Sequence, residues 1–195
     1  MGARERIGAF AARHDLARVA RRHPKRPGVE TLIERRPVRM IMGDIPVPLP
    51  PGAFLQATAE GEAALCAFVC EAASGAGRVA DLFAGIGTFT FPLAKAGARV
   101  HAIDAGKAEI GAIEAAARAA VLPGVAAELR DLDKRPLDAA DLAGFVAVVF
   151  DPPRAGAAAQ AERLAAATVP RVIAVSCNPA SFARDARLLL DGGYR

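Results

Sequence analysis

From residue 58 onward, short apolar runs alternate with longer segments of helical periodicity, and few folds accommodate that alternation. Strands are expected at 78–83, 98–103, 125–129, 145–150 and 171–176. Helices are expected at about 58–73, 87–96, 107–120, 156–167 and 179–190, with a short one near 138–143. Consecutive strands joined through a helix run parallel, and a parallel sheet is covered on both faces. The expected fold class is therefore α/β, a Rossmann-like sheet with helices on both sides. An apolar content of 53%, largely alanine rather than aromatic, suits helices packed closely on such a sheet. Ligands of these folds bind beyond the carboxyl ends of the strands.

All five strand ends carry residues suited to binding or chemistry. Asp81-Leu82-Phe83-Ala84-Gly85-Ile86-Gly87-Thr88-Phe89 lies where the first strand turns into its helix. Gly85 and Gly87 let a backbone approach a ligand, and the helix start offers unpaired N–H groups. Thr90 stands where a dinucleotide fingerprint has its third glycine, and there is no Gly-Lys-Ser/Thr of a phosphate loop. A ligand held by its pyrophosphate is not expected. Asp104 closes the second strand, where a carboxylate takes two ribose hydroxyls; capping the next helix is the structural alternative. Asp131, after the third strand, can accept from an adenine amino group or stand in a solvated turn.

Asp151-Pro152-Pro153-Arg154 ends the fourth strand, and its prolines force the chain out of the sheet into a rigid loop. Asp151 faces the ligand side, and Arg154 can pair with a phosphate or support a developing oxyanion. Ser176-Cys177-Asn178-Pro179 follows the apolar run Val172–Val175. Cys177 is a candidate nucleophile, although a free cysteine is also a common core residue.

The N-terminal part differs in character. Residues 7–22 have helical spacing, ending at the breaker His23 to Gly28, and residues 37–48 are extended with a Gly43-Asp44 turn that suggests a hairpin. Pro48, Pro50 and Pro51 stiffen the chain, so residues 1–51 are expected to form a basic segment and 52–195 the main domain. Residues 1–40 carry 11 Lys/Arg against 4 Asp/Glu, and the rest 14 against 17. Arg18, Arg21, Arg22, Lys25 and Arg26 form either a solvated face or a patch that meets phosphates. Cys66 and Cys70 sit one helical turn apart and are expected in the core, with no metal site. Without a signal peptide or an apolar run of membrane-spanning length, a cytoplasmic location away from membranes is expected.

An acidic residue closing the first strand, a glycine turn without phosphate chemistry and a ribose-binding carboxylate together point to S-adenosylmethionine. Here the chain resembles the RNA uracil-5-methyltransferase family, from about Pro51 to Arg195. Four motifs in order carry the resemblance: Phe54-Leu55-Gln56, Asp81 to Gly87, Asp151 to Arg154, and Ser176 to Pro179. It implies a class I methyltransferase sheet, with Gln56, Phe83, Thr88, Asp104, Asp131 and Asp151 lining the cofactor pocket. Asp104 stands where the family more often has Glu, and Ala84 where it often has Cys.

The resemblance further implies methylation of uridine carbon 5 in tRNA or rRNA. Cys177 adds to carbon 6, which makes carbon 5 electron-rich enough to take a methyl group. Arg154 supports this, and the basic segment is the expected RNA contact. In the resembled family the base that removes the carbon 5 proton is a glutamate in a segment beyond the last helix, which this sequence does not carry. The glycine-rich end at 191–195 also looks like the approach to a further strand.

A C-terminally shortened domain is therefore expected, with its last strands missing, a remnant of a substrate domain at 1–51, and neither an oligonucleotide-binding barrel nor an iron–sulfur cluster. It is expected to bind cofactor with little turnover, and to self-associate through an open sheet edge where the complete protein is a monomer. Two alternatives are an inactive RNA- or cofactor-binding remnant and an amino-group methyltransferase. The second leaves Cys177 without a role and puts Arg154 where an aromatic residue is usual.

Overall fold

The structure, a computed structural model, describes residues 2–24 and 28–195. Lys25 and Arg26 of the basic segment lie outside the described residues. The chain begins with α1 (Ala3–Arg13) and two antiparallel pairs, β1 (Arg18–Arg22) with β2 (Val29–Glu34) and β3 (Arg39–Met42) with β4 (Ile45–Pro48). There follow α2 (Ala59–Ala72), β5 (Arg78–Leu82), α3 (Thr90–Lys95), β6 (Arg99–Asp104), α4 (Lys107–Ala119) and β7 (Val125–Leu129). The chain continues through β8 (Ala147–Phe150), α5 (Ala158–Ala165), β9 (Arg171–Ala174) and α6 (Pro179–Asp191).

Five strands form one parallel sheet in the order β7-β6-β5-β8-β9. The order reverses beside β5, the first strand of the sheet in sequence, so loops leaving β5 and β8 diverge and open a crevice at their carboxyl ends. Central strands bury both faces: Val79 to Leu82 and Ala147 to Phe150 are all buried. Phe89, Leu93 and Val69 cover one face from α3 and α2, while Ala161, Leu164 and Leu189 of α5 and α6 join the core of the other.

Helix ends follow local chemistry. Thr58 caps α2 by accepting from the Gly61 N–H, and Asn178 caps α6 by accepting from Ala180 N–H, with Pro179 in the first turn. Two expectations are corrected. The helix expected at 7–22 ends at Arg13, because Asp15 turns into the left-handed region (φ 48°) and residues 18–22 become a strand paired with β2. The basic residues of that stretch therefore alternate along a ribbon rather than line a helix. The short helix expected at 138–143 is a turn: the Asp138 carboxylate takes the N–H groups of Ala140 and Asp141, and Gly144 reverses the chain at φ 81°.

The β3–β4 hairpin turns at Gly43-Asp44, both with positive φ, as a two-residue turn requires. Its buried residues Met42 and Val47 pack with Ile86, Phe91 and Ile113, beneath the loop that follows β5. At the opposite side β9 is an edge strand, and a groove beside it is lined by Val172, Ala174, Phe182, Leu189 and Leu190.

Candidate active site

The loop after β5 begins with strain. Phe83 adopts φ 62°, unusual for an aromatic residue, and this lifts the chain off the strand end directly after Leu82. Its ring meets Phe150 at 6.0 Å in an edge-on arrangement, and the Ala84 N–H donates to the Ile103 carbonyl of β6. Gly85 and Gly87 then continue with φ 56° and 92°. The two glycines differ in what surrounds them. A Cβ on Gly87 would lie 2.7 Å from the Phe91 ring, so packing alone demands glycine there; one on Gly85 would meet nothing within 4 Å. The open side of the turn is at Gly85.

Asp104 faces that opening. One carboxylate oxygen accepts from the Gly85 N–H at 2.9 Å and the other from Gly106 N–H at 2.7 Å. Two backbone donors fix the group, and each oxygen keeps a lone pair for a further donor. The structural alternative is thus partly realised, since Asp104 does order the start of α4. Asp131, at the end of β7, accepts from the Lys134 backbone and ammonium groups, and that ion pair holds its carboxyl below the usual carboxylate range. Gln56 and Thr88 are half-buried, the former two residues after Phe54, which is 71% exposed.

Beneath the turn lies a pair that motif reading left without a role. Asp81 is fully buried; one oxygen accepts from the Thr90 hydroxyl at 2.6 Å, and the other, Oδ1, has no partner. Burial pushes its carboxyl up to about 7, opposed by the Thr90 bond and aided by Asp151 and Asp104. Thr90 replaces the third glycine of a dinucleotide fingerprint, and its hydroxyl is what the site uses. That substitution was the available signal. Cys66 of α2 donates from its thiol to the Thr88 carbonyl at 3.4 Å. Burial first, then Glu62, Cys70 and Asp81, push this thiol up to about 11, so it stays a donor.

The loops after β8 and β9 form one unit. Asp151 is half-buried, and its burial pushes its carboxyl up to about 6. The Arg154 carbonyl accepts from the Asn178 side-chain amide at 2.9 Å and from the Ser181 hydroxyl at 3.1 Å. Ser176 Oγ accepts from the Asn178 N–H, closing the turn around Cys177, which is exposed. The Arg154 side chain is exposed and forms no ion pair among the described residues. Asp185 is unavailable as a base, since it is buried, accepts from Ala157 N–H and pairs with Arg184.

In the N-terminal ribbon, Arg21 pairs across the strands with Glu30 at 2.8 Å, and Arg18 donates to the Leu49 carbonyl at 2.6 Å, tying the ribbon to the chain that follows β4. Arg22 is exposed.

The family model for tRNA (uracil-5-)-methyltransferase matches residues 47–191. The chain belongs to that family. Among its relatives, an uncharacterised RNA methyltransferase of Brucella melitensis is 43% identical over 193 residues, covering 98% of this chain and 45% of the relative. The 23S rRNA (uracil(1939)-C(5))-methyltransferase RlmD of Chromohalobacter salexigens is 37% identical, covering 95% and 40%. The chain spans less than half the length of these curated relatives. The crystal structure of the Pyrococcus abyssi tRNA (uracil-54, C5)-methyltransferase, solved with S-adenosyl-L-homocysteine, superposes with a TM-score of 0.73 at 25% identity, covering 89% of this chain and 44% of that one. The α/β Rossmann-like sheet expected from the alternation, and the class I methyltransferase fold implied by the resemblance, are the ones observed.

Proposed function

We propose that this chain carries the cofactor site and the nucleophile of an S-adenosylmethionine-dependent RNA methyltransferase acting on carbon 5 of uridine. One observation carries the proposal: the Asp151 to Arg154 loop and the Cys177 loop are hydrogen-bonded to each other at adjacent strand ends, so a thiol and a cofactor-side carboxylate share one rigid edge. The residues present fit a cationic adenosyl ligand. The turn is open at Gly85, Asp104 is fixed with acceptor capacity to spare, and the carboxyl groups of Asp104 and Asp151 stand at the crevice with Asp81 buried beneath. Gln56, Phe83, Thr88, Asp131 and Asp151 complete the set assigned to the cofactor.

When bound, the cofactor supplies a methyl group activated on a sulfonium. The protein's own part begins with Cys177, whose sulfur, as thiolate, adds to carbon 6 of the uracil ring and sends an electron pair toward carbon 5 and the carbonyl at carbon 4. Arg154, on the loop bonded to that of Cys177, is assigned the part of balancing that developing charge or a flanking phosphate. After carbon 5 is methylated, loss of its proton to a base and expulsion of the sulfur restore the ring and the cysteine. Flat approach to the ring requires the uridine to be unstacked from structured RNA. Arg18, Arg21, Arg22, Lys25 and Arg26 are proposed to meet its phosphates. Division of the chain at residue 52 is likewise proposed, and the open β9 edge supports self-association of this chain.

The test is a single-turnover reaction with methyl-labelled cofactor and tRNA or rRNA transcripts. Label recovered at carbon 5 of uridine, or in a denaturation-resistant protein–RNA band, supports the assignment, because transfer precedes proton loss. Label on an exocyclic amine favours an amino-group methyltransferase and overturns it.

A further inference from the structure

The register of the sheet places three carboxylates on one face. Asp81 on β5 lies opposite Ala102 on β6 and Val149 on β8. Asp104 and Asp151 follow these partners by two residues, and positions two apart along a strand share a face. Asp81 is the central and deepest of the three. It is excluded from solvent, and its Oδ1 is the one fully buried side-chain polar atom without a partner among the described residues. A charged oxygen left unpaired in such a place is costly unless a positive charge is brought near.

Among the described residues, no cation supplies that charge. At the ends of β6 and β8, Asp104 and Asp151 oppose ionisation of Asp81, and from α3 the Thr90 hydroxyl and backbone N–H support it. From α2 comes the neutral Cys66 thiol, with Glu62 and Cys70 beyond it. No Lys, Arg or His of the described residues contributes.

We propose that Asp81, with Asp104 and Asp151, makes the cofactor site selective for a cationic ligand, and that Asp81 releases its proton to solvent when such a ligand binds. The proposal rests on the assignment of this site to S-adenosylmethionine. The methyl donor carries a fixed positive charge at sulfur, and its thioether product has lost it. Binding of the donor thus converts the Asp81 carboxylic acid to carboxylate, with one proton passed to the buffer. The uncharged thioether offers no such compensation, so Asp81 keeps its proton. Asp81 acts here as a positioning and selectivity residue rather than a reacting one. Selectivity for donor over product rises with pH across the range where Asp81 titrates, and loss of the charge after methyl transfer loosens the product.

Calorimetric titration of the chain in two buffers of different ionisation enthalpy reads the released proton directly. The probes are S-adenosylmethionine, S-adenosylhomocysteine and sinefungin, whose amine replaces the sulfonium with another cation. At pH 7, release of about 0.3 to 0.5 proton is expected with each cationic probe and under about 0.1 with the thioether. The preference for donor over thioether should rise about 3- to 10-fold between pH 6 and 8. Asp81→Asn should remove both effects. Thr90→Val, which deletes the bond favouring the ionised form, should move the release to higher pH and serves if Asp81→Asn does not fold. Equal release with all three probes, or release unaltered by both substitutions, overturns the proposal. Failure of every probe to bind overturns instead the cofactor assignment on which it rests.

Discussion

The side-chain amide of Asn178 donates to the backbone carbonyl of Arg154, joining the loop that presents Cys177 to the loop that presents Asp151. The same Asn178 accepts from the Ala180 N–H at the start of α6. One residue therefore fixes both the turn around Cys177 and the helix behind it.

Asn178→Ala removes both bonds. A stability loss of about 1 to 2 kcal/mol is expected from the lost cap and bridge. Covalent trapping of RNA should fall by about 10-fold or more while cofactor affinity changes little, because misplacement affects only the reacting sulfur. Thermal unfolding, cofactor titration and trapping on the same sample check the three parts together.

Gly85 and Gly87 should respond differently to alanine. Gly87→Ala meets the Phe91 ring at 2.7 Å on a backbone with φ 92°, and should cost about 2 to 4 kcal/mol in stability. Gly85→Ala faces open space, so only its φ of 56° is penalised, at about 1 kcal/mol. Its larger effect should fall on cofactor affinity, since the added methyl projects toward the opening. Melting curves paired with binding isotherms distinguish the two.

Stability should decline as pH rises from about 4 to about 7. The folded protein holds the Asp81 carboxyl up to about 7 and Asp151 up to about 6, against an ordinary value near 3.8. Over that interval the folded state binds more protons than the unfolded state, so their contribution is complete below the ordinary value and is lost as pH passes the raised ones. Asp81→Asn should flatten much of this decline. Denaturant unfolding at several pH values checks the slope; an unchanged slope in the variant would assign it elsewhere.

Most of the sheet was legible because its strands are buried on both faces and read as apolar runs between helices of regular period. Residues 7–22 misled because Ile7, Phe10, Ala11, Leu16 and Val19 happen to fit a helical repeat, whereas the left-handed turn at Asp15 is set by tertiary contacts. The Arg35 and Arg36 guanidinium groups, 20 and 21 residues away, bind its carboxylate. The site followed the same rule. Asp104, Asp151 and Cys177 stand at strand ends, where sequence position indicates a role. Threonine at position 90, in place of a third glycine, hints at the Asp81–Thr90 bond, but the Cys66 contact with Thr88 and the Asn178 bridge depend on which side chains meet across elements, and no local pattern encodes that.

The central claim is that Cys177 is the nucleophile. RNA carrying 5-fluorouridine, with S-adenosylmethionine present, traps such an enzyme after methyl transfer because fluorine cannot leave carbon 5 as the proton does. Peptide mass mapping of the trapped band should find a methylated fluorouridine adduct on the peptide containing Cys177, retained in Cys66→Ala and Cys70→Ala and absent in Cys177→Ala. An adduct on another residue, or one that survives Cys177→Ala, would contradict the account.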